Sequence, residues 1–529
     1  MSAERNEMKE PSIGDGSTRW PRAVHIGAVA ACLIAGTAVL MGTRDVGLVG
    51  WDTYPIIIAS RIESASDFVG TFTEKLMDGR YPDDFYRPLT NLSFALDYAL
   101  WKLEPFGYQL TNVAFWTGSC LALYFLIYRL TGGASRLGAV FGMVFFLLHP
   151  SHVEVIPVPA RRPESMCAMF MALSLIWQLS PGSLRMRRPP IVPALWALLA
   201  MCSKETGLLL PALSFLAVYL YSPRAGLLAR MRHAMVAIVP HLIALAIVIG
   251  ARLAVLGGLG GHQAISAERI LTQFPAVPFA VARLLVFAHI APESSTATGI
   301  LWVTFAIALC AVAVLIPPRR TCSEDVSGRR VGLWAGSVIG AAWFLLVCLM
   351  YSTGKLVQPW YLFQPAYATS ILIGTTAAWL AKEAADQEKT ARYAAMLGLL
   401  LAGTLTAAQA RFSPVFNHRD DWDRATAAAD LFRQELGSQL AASSAGTEIA
   451  APPLPAWIEW ADTTRIFGGM VLWDYSVQAW ADLEYPSRGA RVGWNHQGVP
   501  EGWVSDGVIV RLDEVLEGFA QRVPDVRRQ

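Results

Sequence analysis

Apolar runs recur along this chain so often that they leave few folds open to it. They read at 24–42, 110–130, 137–149, 164–180, 191–203, 206–222, 233–252, 299–316, 331–350, 358–380 and 393–410. In hydrocarbon every backbone N–H and C=O must be satisfied within the protein, so runs like these become helices. Charged residues make up only 16% of the 529 positions, against about 25% in soluble proteins. The reading is an all-α polytopic membrane protein of about eleven spans. A net charge of +2 suggests no nucleic-acid partner. Six of the seven cysteines lie in apolar runs and Cys322 in an Arg-rich loop, which implies neither a disulfide framework nor a metal cluster.

Charge alternation sets the expected orientation. Arg5, Lys9, Arg19 and Arg22 precede the first run, which reads as a signal anchor with a cytoplasmic tail over 1–23. Further basic clusters at Arg185–Arg188, Arg224–Arg232, Arg319–Arg330 and Lys382–Arg392 mark the same side. The segment 267–290 carries two prolines, Arg283 and His289, and crossing there would move Arg319–Arg330 outside. It is read as an external or re-entrant helix. The spans then form one unit over 24–410, in a cell (inner) membrane and surrounded by its lipids.

Two polar regions remain, both expected on the extracytoplasmic side. The first loop, 43–109, is too long and too rich in carboxylates and aromatics to be a plain connector. The second, 411–529, holds seven tryptophans and turn-rich pieces such as PSRGARVGW, which indicate a small α/β domain in the periplasm. Its entry is an amphipathic helix with Trp422, Ala425, Ala429 and Phe432 on one stripe.

Four constellations converge on that outer face: Asp52 flanked by Trp51 and Tyr54; His149-Pro150-Ser151-His152-Val153-Glu154 running on to Arg161-Arg162-Pro163-Glu164; Lys204-Glu205; and Lys355 with Trp360-Tyr361. Ionisable residues at membrane depth are costly and point to function. Bland readings stand beside each: an ion pair joining helix ends for Lys204-Glu205, packing for His149 and His152, a backbone-bonded loop carboxylate for Asp52. Two histidines and a glutamate could take a divalent ion, but Pro150 breaks any helical spacing, so no metal site is assigned.

The segments FYRPLTNLSFALDYALWKLEPFGYQLTNV, LLHPSHVEVIPVPARRPE and CSKETGLLLP resemble the C-type (GT-C) multi-spanning glycosyltransferases. Within them the chain is most similar to the O-mannosyltransferase-like group that includes the transmembrane tetratricopeptide-repeat proteins. The resemblance covers about residues 45–380. It implies a polyprenyl-phosphate sugar donor, a protein, lipid or glycan acceptor, an extracytoplasmic site, inversion at the anomeric carbon, and a catalytic aspartate in the first loop.

Asp52 matches that aspartate, with Thr53 where a second acid is common; Glu154 and Arg162-Pro163-Glu164 match the acidic second-loop motif, with Arg161 in place of a glycine. Lys204-Glu205 matches as it stands. Trp116 replaces a usual histidine, and Pro359-Trp360-Tyr361-Leu362-Phe363 lacks an arginine of the usual motif. Asp52, with Glu154 as rival, is thus expected to take the acceptor proton. Arg87, Arg162, Lys204 and Lys355 are expected to neutralise the leaving phosphate. Trp51, Tyr54, His149, His152, Glu164, Glu205, Trp360 and Tyr361 are expected around the substrate. A lipid-linked glycan ligase or polymerase, or a catalytically silent relative acting as a binding protein, are the competing readings.

Overall fold

The structure, a computed structural model, describes residues 20–79, 85–133, 135–185, 190–222, 226–260, 267–274, 332–353, 359–386, 413–416, 420–446, 448–451 and 474–494, with isolated positions between 277 and 285, 403 and 410, 457 and 472, and at 508–509. Helices dominate, and among the described residues they account for nine of the eleven apolar runs. These are α1 (Trp20–Thr43), α5 (Pro105–Leu130), α6 (Arg136–Leu147), α7 (Arg162–Gln178), α9 (Ile191–Ser203), α10 (Leu210–Tyr221), α11 (Leu227–Leu256), α13 (Gly332–Tyr351) and α14 (Phe363–Asp386). A short α8 (Pro181–Leu184) follows α7. The run 299–316 and most of 393–410 lie outside the described residues.

Three of the helices (α1, α5 and α11) are long and apolar enough to cross a bilayer unaided. The 12- and 13-residue helices α6 and α9 fall short of the about 20 residues a lone span needs. They end inside the bundle instead. Helix α6 packs on α14 through glycines: a Cβ on Gly142 would sit 2.6 Å from the Ser370 carbonyl oxygen, so only hydrogen allows this approach. Helix α5, with Trp116, Cys120, Leu123, Tyr124 and Ile127 all buried, is central.

Each short helix delivers a polar turn to one end of the bundle. Single 3₁₀ turns at Pro150–Glu154, Glu205–Leu209 and Pro359–Leu362 follow α6, follow α9 and precede α14. The first loop folds over that end as α2 (Thr53–Ala59), α3 (Ala65–Thr73) and α4 (Pro88–Trp101). Ser64 and Asp67 close a capping box at the start of α3, and Phe68, Val69 and Phe72 of this helix are exposed.

The segment after α11 returns to the same end. Helix α12 (Ala267–Gln273) begins it, Val277, Val281 and Leu285 are buried, and the Leu285 carbonyl meets His149 Nε2 at 3.2 Å. Arg252, near the end of α11, meets Glu205 at that end too.

Beyond the bundle, α15 (Asp420–Ala442) buries Trp422, Ala425, Ala429 and Phe432, the stripe expected of it. Strand β1 (Glu448–Ala451) pairs in parallel with β4 (Arg491–Trp494) and β5 (Val508–Ile509), in the order β4-β1-β5. Strands β2 (Trp457–Ile458) and β3 (Gly469–Met470) form an antiparallel pair. Parallel neighbours need a crossover, and α16 (Asp474–Glu484) lies between β1 and β4 in the chain. Helix α16 packs directly on α2 of the first loop.

Candidate active site

Asp52 stands at the N-cap of α2, yet its side chain makes no cap bond to its own helix. Its Oδ1 accepts from the Tyr475 hydroxyl at 2.7 Å. The neighbouring Ser476 hydroxyl donates to the Trp51 carbonyl. The carboxylate is half-buried, held from above by a helix more than 400 positions away in sequence.

From Asp52 an aromatic wall leads inward. The Trp51 ring meets Trp360 edge-on with centroids 6.3 Å apart, and Trp360 meets Tyr361 at 5.8 Å. The Arg161 guanidinium lies 3.5 Å above the Trp360 ring, well within cation–π range. Tyr361 stacks on Tyr351 at 5.2 Å, and the Tyr351 hydroxyl donates to the Tyr361 carbonyl. Lys204 Nζ sits 5.4 Å from the Tyr361 centroid.

Lys204 opens a charged cluster. It pairs with Glu164, whose second carboxylate oxygen is buried and, among the described residues, has no hydrogen-bond partner. Glu205, the next residue, turns the other way and takes two cations. Arg87 donates to it from Nε at 3.1 and 3.2 Å and from Nη2 at 2.6 Å, and Arg252 Nη1 donates at 3.2 Å. Burial alone would raise the Glu205 carboxyl, but Arg87 and Arg252 outweigh it and hold it down to about 2. Burial pulls the Lys204 ammonium below its ordinary value, against the attraction of Glu164. Among the described residues, three cations (Arg87, Lys204, Arg252) thus meet two carboxylates in this cluster, and Arg161 lies on the Trp360 ring. Such an excess suits an anion.

Several expected residues lie elsewhere. Arg162 is 1% exposed, and its guanidinium is consumed by Asp97, by Asn112 Oδ1 at 2.7 Å and by Ser93 Oγ at 3.2 Å. Placing it among phosphate ligands does not fit this geometry; it joins α7 to α4 and α5. His149 and His152 are fully buried. His149 bonds Ser151 and the Leu285 carbonyl, and His152 bonds the Phe146 carbonyl between Phe146, Phe363 and Trp116. Burial depresses the first to about 4 and the second to about 3, so both rings are neutral at pH 7. Tyr54 is buried under Arg433 of α15, which donates to its hydroxyl. The side chain of Glu154 and the whole of Lys355 lie outside the described residues. Among the described residues no three His, Cys, Asp or Glu side chains gather as a metal site.

Tyr475, Arg252 and Asp97 were not singled out by sequence. Of the Arg161-Arg162 doublet, Arg162 is buried with Asp97 and Arg161 lies on the Trp360 ring.

No protein-family profile matches the chain. It is similar to Protein O-mannosyl-transferase Tmtc1 of Drosophila melanogaster, 28% identical over 199 residues, which is 35% of this chain and 22% of that protein. Protein O-mannosyl-transferase tmtc2 of Xenopus laevis is 30% identical over 146 residues, 25% of this chain and 16% of that one. Mouse (Mus musculus) TMTC3, another Protein O-mannosyl-transferase, is 28% identical over 127 residues, covering 23% and 13%. The chain therefore spans less than a quarter of the length of these curated relatives. They are the group whose motifs the sequence resembles. Among solved structures, ArnT from Cupriavidus metallidurans bound to undecaprenyl phosphate aligns with a TM-score of 0.44 and 14% identity over 89% of this chain and 90% of that one.

Proposed function

We propose that this chain is an integral-membrane glycosyltransferase that moves a sugar from a polyprenyl-phosphate donor to an acceptor hydroxyl. The observation that carries the reading is the arrangement at the loop end of the bundle. A carboxylate (Asp52) and a cationic cluster (Arg87, Arg161, Lys204, Arg252) are joined by an aromatic wall of Trp51, Trp360 and Tyr361. A sugar lying on that wall would have its acceptor side towards Asp52 and its phosphate towards the cations.

The chemistry balances in this frame. The acceptor oxygen attacks C1, the C1–O bond to the lipid phosphate breaks, and the acceptor proton passes to Asp52. The leaving phosphate needs cations and no second acid. Attack from the face opposite the leaving group inverts C1. The orphaned Glu164 oxygen is available to a sugar hydroxyl. Glu154 and Lys355 remain the rival base and an additional cation in this proposal, and the loop end faces the extracytoplasmic side. The curated relatives named as O-mannosyltransferases make mannose the first sugar to try, with a protein hydroxyl as acceptor.

The test uses the full chain in detergent with radiolabelled polyprenyl-phosphate mannose and its glucose and arabinose counterparts, read as release of free polyprenyl phosphate. Asp52→Asn is expected to lower turnover by about 10²–10⁴-fold with donor binding kept. Lys204→Met is expected to weaken donor binding by about tenfold or more. Unimpaired turnover in Asp52→Asn refutes the base assignment. Absence of turnover with every donor, in wild type, refutes the transferase reading.

A further inference from the structure

Asp52 is held by the C-terminal α/β unit, which lies outside the 45–380 region that carries the glycosyltransferase resemblance. Four contacts fasten that unit to residues 47–54. Gly47 N donates to Thr426 Oγ1 at 2.9 Å, Arg433 donates to the Tyr54 hydroxyl, Ser476 donates to the Trp51 carbonyl, and Tyr475 donates to Asp52 Oδ1 at 2.7 Å. The first three bind the turn as a whole. The fourth acts on the carboxylate alone.

We infer that Tyr475 is a positioning residue for Asp52, so that the C-terminal unit completes the active site instead of merely following it. The inference rests on the reading of Asp52 as the base. Its physical basis is that nothing local holds the side chain: Asp52 makes no cap bond, and among the described residues Oδ2 accepts no hydrogen bond. A half-exposed carboxylate on a loop turn samples several rotamers, and a base works only within hydrogen-bond reach of the proton it takes. Tyr475 takes Oδ1 and pins the rotamer; Oδ2 is then the atom that faces the acceptor. A hydroxyl bonded to an ionised carboxylate also makes one of the stronger hydrogen bonds in proteins. Because α16 lies over α2, an acceptor reaches Oδ2 past this helix, which makes the C-terminal unit part of the acceptor entrance.

The experiment is a double-mutant cycle on the full chain in detergent, with turnover of the radiolabelled polyprenyl-phosphate sugar that the wild type accepts and donor binding measured separately. Tyr475→Phe keeps the ring and removes one hydroxyl. It is expected to lower kcat by about tenfold with the donor Kd unchanged, and to add no further loss in the Asp52→Asn background. Ser476→Ala loosens the same docking surface without touching Asp52 and is expected to leave kcat within about twofold. Multiplicative losses in Tyr475→Phe and Asp52→Asn overturn the proposal, as does an equal loss in Ser476→Ala, since either shows general loosening. A silent Tyr475→Phe beside a crippled Asp52→Asn removes Tyr475 and leaves the base in place. An active Asp52→Asn removes both.

Discussion

Replacing Glu205 by glutamine isolates what the buried cation cluster costs the fold. Glu205 answers two guanidinium groups at once, Arg87 at 2.6 Å and Arg252 at 3.2 Å, with Arg252 itself 1% exposed. Glutamine keeps the shape but loses the charge and one acceptor oxygen, leaving two cations without their carboxylate. Breaking a buried pair this way costs about 3–5 kcal/mol. A second route gives the same size. The carboxyl is displaced from its ordinary 4.5 to about 2. At about 1.36 kcal/mol per pH unit that is about 3 kcal/mol.

The sign follows from linkage. A carboxyl that titrates lower in the folded chain stabilises it fully above its unfolded value of 4.5, and the stabilisation is lost as pH falls towards about 2. At pH 7 the whole contribution is in place. The assay is tryptophan fluorescence of the full chain melting in detergent at pH 7, with the unfolding rate recorded because large proteins often unfold irreversibly. Glu205→Gln is expected to melt well below wild type, and adding Arg252→Gln to cost less than the sum of the two single changes. A Glu205→Gln variant that melts with wild type, or strict additivity with Arg252→Gln, would refute the shared-carboxylate account.

Arg162→Lys should lower the melting temperature while leaving donor affinity unchanged, because a lysine cannot make the forked contacts to Asp97, Asn112 and Ser93; weakened donor binding at normal stability would return Arg162 to the phosphate site. The buried His149 and His152 resist protonation down to about 4 and about 3, whereas the unfolded chain takes up protons below about 6.5. Stability should therefore fall between pH 6.5 and 4, read as the melting temperature at pH 7 against pH 5; equal melting in a His149→Asn, His152→Asn double variant and wild type at both pH values contradicts this. Gly142→Val would put a methyl-bearing carbon 2.6 Å from the Ser370 carbonyl oxygen and force α6 from α14, so yield and melting temperature should both drop; normal values for both would argue that these helices do not meet there.

The nine described helices that fall in apolar runs were legible because a bilayer makes secondary structure a local matter. Each run must satisfy its own backbone, so hydropathy alone locates α1, α5 and α11, and the polar turns that end α6 and α9 follow from their shortness. The amphipathic stripe of α15 was readable for the same reason: Trp422, Ala425, Ala429 and Phe432 repeat at the helical period, and the period is in the chain. That Asp52, Lys204-Glu205 and Trp360-Tyr361 would share one end followed from counting spans.

Partnership was a different kind of question, and only the tertiary structure answered it. Arg161 and Arg162 are adjacent, yet one lies on Trp360 and the other is locked to Asp97, because neighbouring residues at a helix entry point in different directions and meet different elements. Nothing along the chain says that Asp97 of α4 supplies the partner. His149 and His152 have the composition of a site and the surroundings of a core, decided by Phe146, Phe363 and the Leu285 carbonyl closing around them. Tyr475 reaches Asp52 across more than 400 residues of chain, and Glu205 is shared between Arg87 at the entry to α4 and Arg252 near the end of α11. Apolar pattern is a property of consecutive residues and survives in the sequence. The matching of a buried charge to its counter-charge is settled by which surfaces pack together, and that comes into being only with the fold.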